Sequence, residues 1–352
     1  MGIKRVLLSL VALSGVGVGV AGWLGWKQWQ EWLTPVEGAA VSRFEVESGS
    51  SVRSIGDDLA QDGLIHSSLA WELWFRIHRD AAAPQAGVYD IDPSGGLESI
   101  VAQLSDGRVV QESFTIPEGW RIKQMAAYFE SELGWFSAAE FTAEAERTIR
   151  DEFPWIPAGL PHLEGFLFPS TYQLPLNART PKDAVDTMLR QFELTALPVY
   201  EANLNSDNPT DLSLIEWTAL SSIIEKEAVI PEERGRISGV FANRLRLGML
   251  LGSDPTVEYA FNITQTPDRP LTFAEVEQPS PYNTYVTPGL PPTAIASPGI
   301  ASLEAALDPE PTQDLYFVAR YDGSHVFSRS LAEHNRAQNR IHNERDAARV
   351  TQ

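Results

Sequence analysis

Residues 6–26, VLLSLVALSGVGVGVAGWLGW, carry no charged side chain, and Lys4 and Arg5 stand directly before them. At ~1.5 Å per residue such a run reaches about 30 Å as a helix, the thickness of a hydrocarbon core. Trp23, Trp26, Trp29 and Trp32 gather at its far end, where amphipathic indoles favour the headgroup layer, and a basic pair at the near end favours the cytoplasmic side. The expectation is a stub over 1–5, a single transmembrane helix over 6–26, and everything beyond about residue 30 outside the cytoplasm. A cleaved signal peptide is the competing reading, but its apolar core is usually only about 7–15 residues, and no clear small-x-small site ends this run.

After a linker over 27–43, one pattern recurs three times: FEVESGSSVRSIGDDL from Phe44, YDIDPSGGLESIVAQL from Tyr89 and FTIPEGWRIKQMAAYF from Phe114. Each opens on an alternating apolar pair (Phe44 and Val46, Tyr89 and Ile91, Phe114 and Ile116), as a half-buried strand does. A turn containing Ser, Gly or Pro follows. Then come apolar residues at helical spacing: Val52, Ile55 and Leu59; Leu97, Ile100 and Leu104; Ile122, Met125 and Phe129. The spacing predicts three strand-turn-helix units. A further helical stretch, SSLAWELWFRIHR, makes residues 44–92 read strand, helix, helix, strand. That order and size resemble a LysM-like carbohydrate-binding module, assigned to 44–110, for which a purely structural spacer is the alternative.

From 111 to 345 helical stretches alternate with loops dense in Pro, Gly, Asn and aromatic residues, among them HLEGFLFPSTYQL, LGSDPTVEYAF and SPYNTYVTPGLPPTAIASPGI. Ordered loops on a helical frame are where sites are built. Strand character is confined to patches such as DLYFVARYDGSHVFS, where Asp322 and Gly323 mark a hairpin turn. The fold class expected is α+β: a transmembrane helix, a small strand-helix-helix-strand module and a larger α+β catalytic domain.

The chain has 27 Lys and Arg against 47 Asp and Glu, a net of −20, which works against a polyanion gripped through its phosphates. No nucleic acid partner is expected. With no cysteine, thiolate metal sites, iron–sulfur clusters and cysteine nucleophiles are excluded. His325 and His334 lack the carboxylate spacing of a metal site, so neither metal nor cofactor is expected.

The segment LSLIEWTALSSIIEKEA poses the chemical question, because it holds three glutamates. Wound at about 100° per residue with Ile223 at zero, Leu220 falls near 60°, Ile224 near 100° and Glu227 near 40°, in the middle of the apolar face. Glu225 falls on the opposite side, at about 200°, and is expected to face solvent. Glu216 shares the buried side but lies near the helix start, where a carboxylate serves the dipole. A carboxyl on an apolar face loses hydration when ionised, so its pKa rises, which is what a general acid near neutral pH requires. A salt bridge from Glu227 to Arg234 or Arg244 is the alternative that involves no chemistry.

LEGFLFPSTY, SIIEKE, ERGRISGVFANRLRLGMLLGSDPTVEYA, SPYNTYVTPGLPPTAIASPG and LYFVARYDGSHVFS with a following EHN together resemble the YceG-like family of membrane-anchored endolytic murein transglycosylases, the MltG type. The resemblance implies that Glu227, the second Glu of E-K-E, is the catalytic acid. It also implies cleavage of the β-1,4 bond between N-acetylmuramic acid and N-acetylglucosamine inside nascent peptidoglycan, leaving 1,6-anhydromuramyl ends and limiting strand length. Glu227 would protonate the leaving oxygen and then take the proton of the muramyl C6 hydroxyl as that oxygen attacks C1, so one carboxyl suffices. Peptidoglycan strands are the implied partner, with peptidoglycan synthases (penicillin-binding proteins) beside them. The implied location is the bacterial inner (cytoplasmic) membrane with the catalytic region on its outer side.

By motif and side-chain chemistry, Glu164, Asn283, Tyr282, Tyr285, Arg244 and Asp254 are candidate substrate-binding residues, and Phe166 and Tyr172 candidate stacking surfaces. Asp254 is also a candidate second carboxylate, for which turn capping before Pro255 is the alternative. Thr293 and Ser170 stand where the family commonly has Gly and Asp. Two other readings remain: a non-catalytic glycan-binding scaffold of wall synthesis, and a hydrolytic muramidase that spends water through a second carboxylate.

Overall fold

The computed structural model describes the backbone over 19–266, 269–320 and 322–350, and side chains up to residue 344. Two compact units result, Met1–Glu112 with Gln173–Arg179, and Ser113–Tyr172 with Thr180–Gln352. Helices and three two-stranded sheets make an α+β chain. The anchor expected over 6–26 lies mostly outside the described residues, of which 19–26 belong to a helix, α1, over 19–33. Among the described residues no helix is long and apolar enough to cross a membrane.

In the first unit, β1 (Ser42–Val46) is followed by α2 (Val52–Gln61), α3 (Ser68–Ile77), β2 (Gly87–Ile91) and α4 (Gly96–Ser105). Helix starts are written locally: Ser51 and Ser67 accept the N–H groups of Ser54 and Ala70, satisfying donors that the first helical turn leaves free. β1 and β2 pair antiparallel with Phe44 opposite Tyr89, which turns both rings to one face with Val46 and Ile91. Ile55, Leu59, Leu97, Ile100 and Leu104 close on that face, and Trp29, Trp32 and Leu33 of α1 pack against the same cluster. Trp71, fully buried, donates its indole N–H to the Val52 carbonyl at 2.7 Å. Gly56 permits this, since a Cβ there would stand 2.5 Å from Trp71 Cδ1. The strand-helix-helix-strand order expected over 44–92 is thus present.

Next along the chain come β3 (Gln111–Thr115), α5 (Ile122–Tyr128) and α6 (Ala138–Ala145); β4 (Thr171–Pro175) pairs with β3. All three strand-turn-helix units therefore exist, and in the third Phe114, Ile116, Ile122, Met125 and Phe129 are buried as the spacing requires. There follow α7 (Pro181–Thr195), α8 (Leu197–Leu204), α9 (Leu214–Glu227), α10 (Arg234–Arg246), α11 (Asp254–Phe261), α12 (Phe273–Val276) and α13 (Ile300–Leu307). The hairpin β5 (Tyr316–Ala319) with β6 (His325–Ser328) and α14 (Leu331–Val350) complete the described chain. Gly323 sits in the hairpin turn at φ 86°, a left-handed conformation that favours Gly.

α9 is the axis of the second unit. Eight consecutive residues, Trp217 to Ile224, are buried, so the helix has no wet face along its middle. Two serines tolerate that burial by bonding inward: Ser221 Oγ donates to the Trp217 carbonyl and Ser222 Oγ to that of Ala219, while Ser222 also receives the Ile295 N–H at 3.0 Å. Trp217 donates to the Leu303 carbonyl of α13 at 2.9 Å. α10 approaches the chain at Glu310 closely enough that a Cβ on Gly239 would lie 2.3 Å from the Glu310 carbonyl oxygen.

Candidate active site

Glu227 is the last residue of α9, and its start is fixed far away by a capping box in which Ser213 and Glu216 bond each other's backbone N–H. At this C-terminus the free carbonyls make the local field negative, which disfavours a carboxylate. Glu227 is half-buried and borders a cavity of about 650 Å³ lined also by Arg244, Gly252, Asp254, Tyr285, Tyr316, His325, His334 and Gln338. Loss of hydration pushes its carboxyl up to about 7; a hydrogen bond from Ser253 and the charge of Arg244 oppose this, and Asp254 and Glu258 add to it. That bond, from Ser253 Oγ to Glu227 Oε1, is 2.6 Å long.

The salt bridges that would have made Glu227 structural are not formed. Arg234 Nε bonds Ser302 Oγ at 3.1 Å. Arg244 spends Nε on the Leu315 carbonyl at 2.6 Å and Nη1 on the Leu251 carbonyl at 2.5 Å, with its guanidinium 5.1 Å from the Tyr316 ring centre. Burial lowers the Arg244 pKa from its usual range. The guanidinium is held by neutral carbonyls and lines the cavity, in salt-bridge contact with no carboxylate among the described residues.

Glu225 does not face solvent as its helical phase predicts. Its Oε2 accepts from the Gly299 N–H at 3.1 Å and from Ser302 Oγ at 2.7 Å, at the start of α13. Burial, then the nearby Glu225 charge, raises the pKa of Glu118, whose carboxylate fills the space a Cβ on Gly299 would need, 2.0 Å from Oε1. The wheel misplaces Glu225 because it assumes one dry face, whereas α9 is enclosed on all sides along its middle and α13 covers Glu225 at its end. Lys226, between the two glutamates, points its Nζ at the Gly119 carbonyl, 3.4 Å away.

Asp254 is the first residue of α11 and does not cap the turn before Pro255 with its side chain. Oδ1 accepts from the Tyr285 hydroxyl at 2.6 Å and Oδ2 from Gln265 Nε2 at 2.9 Å. Gly252, at φ 55°, carries the chain between Arg244 and Tyr285, whose atoms lie 3.5 Å from where its Cβ would be. Glu227, Asp254, Arg244 and Tyr285 thus share one cavity.

The other candidates lie elsewhere. Asn283 is fully buried and staples its loop: Nδ2 donates to the Val276 and Gln278 carbonyls, both at 2.8 Å, and Oδ1 accepts the Tyr285 N–H. Tyr282 shares a hydrogen bond with Thr293 at 2.8 Å and packs on Tyr259. Phe166 and Tyr172 are core residues, the Tyr172 hydroxyl donating to the Phe168 carbonyl. Glu164 is buried against a second cavity of about 730 Å³ with Arg121, His162 and Tyr259. It accepts from the Ile122 N–H at 2.9 Å and the Tyr259 hydroxyl at 3.4 Å, and burial pushes its carboxyl up to about 7. His325 bonds Glu233 through Nδ1 at 2.7 Å. No group of three or more metal-ligating side chains occurs among the described residues.

Three residues of the site are not singled out by the sequence: Ser253 and Gln265, which bond Glu227 and Asp254, and Tyr316, which lines the cavity. Ser253 was within reach, since it stands beside Asp254 in GSDPT. Gln265 and Tyr316 carry no local signal.

Comparison with known proteins agrees with this architecture. The sequence profile of the YceG-like family matches residues 44–340. The chain is 32% identical over 320 residues to a Bacillus subtilis protein named endolytic murein transglycosylase, covering 87% of this chain and 86% of that one. A Streptococcus pneumoniae protein of the same name is 29% identical over 321 residues, 83% of this chain and 56% of the longer relative. The crystal structure of a YceG-like protein from Listeria monocytogenes is similar with a TM-score of 0.57 at 29% identity, covering 85% of this chain and all of that one. A profile that spans most of the chain, and a relative matched over most of both lengths, place the protein: it belongs to the YceG-like family.

Proposed function

We propose that this protein is an endolytic murein transglycosylase with Glu227 as its acid. The reading is carried by one observation: a half-buried carboxyl at a helix C-terminus, bordering a cavity, without an ion-pair partner among the described residues and pushed up to about 7. Such a group is protonated in a useful fraction near neutral pH, as a general acid must be. The name its relatives carry supplies the substrate, peptidoglycan glycan strands.

Glu227 donates its proton to the glycosidic oxygen as the bond to the muramyl C1 breaks and the electron pair leaves with that oxygen. The C6 hydroxyl oxygen of the same sugar then bonds C1 and gives its proton back to Glu227. The ends are 1,6-anhydromuramyl and no water is consumed. Arg244 offers a cation to a carboxylate of the strand, and Tyr285 and Tyr316 offer ring surface to a sugar face. A run of 21 uncharged residues with flanking tryptophans supports a membrane anchor over 6–26. The order of elements over 44–92 supports a LysM-like module, and peptidoglycan synthases are the fitting neighbours at a membrane surface.

Mass spectrometry of products from purified glycan strands tests the reading. Anhydro ends support it, and uncut strands leave a binding scaffold. Reducing ends indicate a muramidase, which a second carboxylate in the cavity, Asp254, makes the one competing reading with structural support. Recovery of the mature chain as a soluble protein starting near residue 25 would remove the anchor.

A further inference from the structure

Asp254 has three properties that a turn residue does not need. It lines the cavity with Glu227. Both its oxygens are committed to side chains from other loops, Tyr285 on one and Gln265 on the other, and neither bonds a backbone N–H of α11. Its immediate neighbour Ser253 is the residue that holds Glu227, so a single dipeptide, Ser253-Asp254, addresses one carboxyl with a hydroxyl and sets a second carboxyl beside it. Asp254 accepts from two side-chain donors, whereas Glu227 accepts from one and ends a helix whose free carbonyls disfavour a negative charge. Paired carboxyls held in such unlike surroundings take unlike roles.

We propose that Asp254 is a second working carboxylate of this site, placed by Tyr285 and Gln265 to stabilise the positive charge that develops at the reacting sugar carbon. This rests on the reading of Glu227 as the acid. Asp254 forms no bond in the reaction: the proton passes from Glu227 to the leaving oxygen, the C6 oxygen closes on C1, and its proton returns to Glu227. The Asp254 charge matters most when C1 and the ring oxygen share a positive charge, so it lowers the barrier more than it tightens binding. Tyr285 and Gln265 are positioning residues, because they act through Asp254.

The test is turnover of purified glycan strands by the full chain, with kcat and KM separated and end groups identified by mass spectrometry. Asp254→Asn is expected to lower kcat by ~10² or more while KM stays within a few-fold and the residual product keeps anhydro ends. Asp254→Glu, which restores the charge, should recover at least about tenfold of that loss. Tyr285→Phe should cost a smaller factor of roughly 3–10 in kcat and nothing further when added to Asp254→Asn, the non-additivity of groups acting in series. If Asp254→Asn melts much below the parent, Tyr285→Phe alone decides, since it leaves the carboxylate and one donor in place. A kcat within about threefold of the parent for Asp254→Asn, or within about twofold for Tyr285→Phe where that variant decides, overturns the proposal, as does a loss confined to KM. Reducing ends from the parent enzyme also overturn it, because Asp254 would then be serving water. Full activity in Glu227→Gln is a different failure: it removes the acid itself and with it the underlying reading.

Discussion

Ser253 Oγ stands 2.6 Å from Glu227 Oε1 and donates to it, so the acid of the proposed reaction is oriented by a residue 26 positions away. That bond favours the charged form of Glu227 against the burial that disfavours it. Removing it with Ser253→Ala should raise the Glu227 pKa further. The basic limb of the kcat/KM profile, which reports loss of the acidic proton, should then move to higher pH, while the maximum falls several-fold from lost orientation. A limb that stays put or moves down would show that Ser253 does not act on the acid.

Glu227→Gln keeps size and an acceptor for Ser253 but has no proton to give. Release of anhydromuropeptides should fall by ~10² or more. Thermal melting should change by only a few degrees, because no cation is stranded: Arg244 is already held by two carbonyls. Normal release from this variant would refute the assignment of the acid; collapse of the fold would make Glu227 a structural residue.

Glu225→Ala tests the other glutamate of the motif. It strips the Gly299 N–H and Ser302 hydroxyl of their acceptor, which should destabilise the second unit by about 1–3 kcal/mol. Activity per folded molecule should stay within about threefold at a temperature well below melting. Denaturant unfolding followed alongside turnover separates the two effects, and a large loss of turnover with unchanged stability would contradict this division of roles.

Glu164, 4% exposed, has its carboxyl raised from 4.5 to about 7. The folded state therefore binds its proton more tightly than the unfolded chain, and the stability this supplies, complete below pH 4.5, is lost as pH rises through about 7. The span corresponds to roughly 3 kcal/mol. Melting temperature should decline between pH 5 and pH 8, and Glu164→Gln, neutral throughout, should flatten that decline while lowering stability at pH 5, where one of its two donors loses an oxygen. An unchanged slope would mean that Glu164 does not titrate there.

The sequence by itself determined the local structure of this protein wherever one face of an element is dry and the other wet. Phe44, Tyr89 and Phe114 could be phased from spacing alone, and the helices after them, because alternation and a period of 3.6 record which side meets the core. The hairpin at Asp322-Gly323 was legible for the same local reason: the backbone there needs a conformation that Gly supplies. Glu227 as the proposed acid is also legible, through its motif more than through its wheel.

Only the tertiary structure decided what each acid and amide meets. Glu225 was phased to solvent, yet α13 brings its first turn onto it across 74 residues, a contact no periodicity within α9 encodes. Asn283 has a side chain suited to sugar hydroxyls and spends it on its own loop. Asp254 reads as a turn residue, yet Tyr285, 31 positions on, and Gln265, 11 on, make it a held carboxylate in the cavity that Glu227 borders. Residue type fixes how many hydrogen bonds a side chain can make. Which partners take them depends on chain segments that become neighbours only when the core closes.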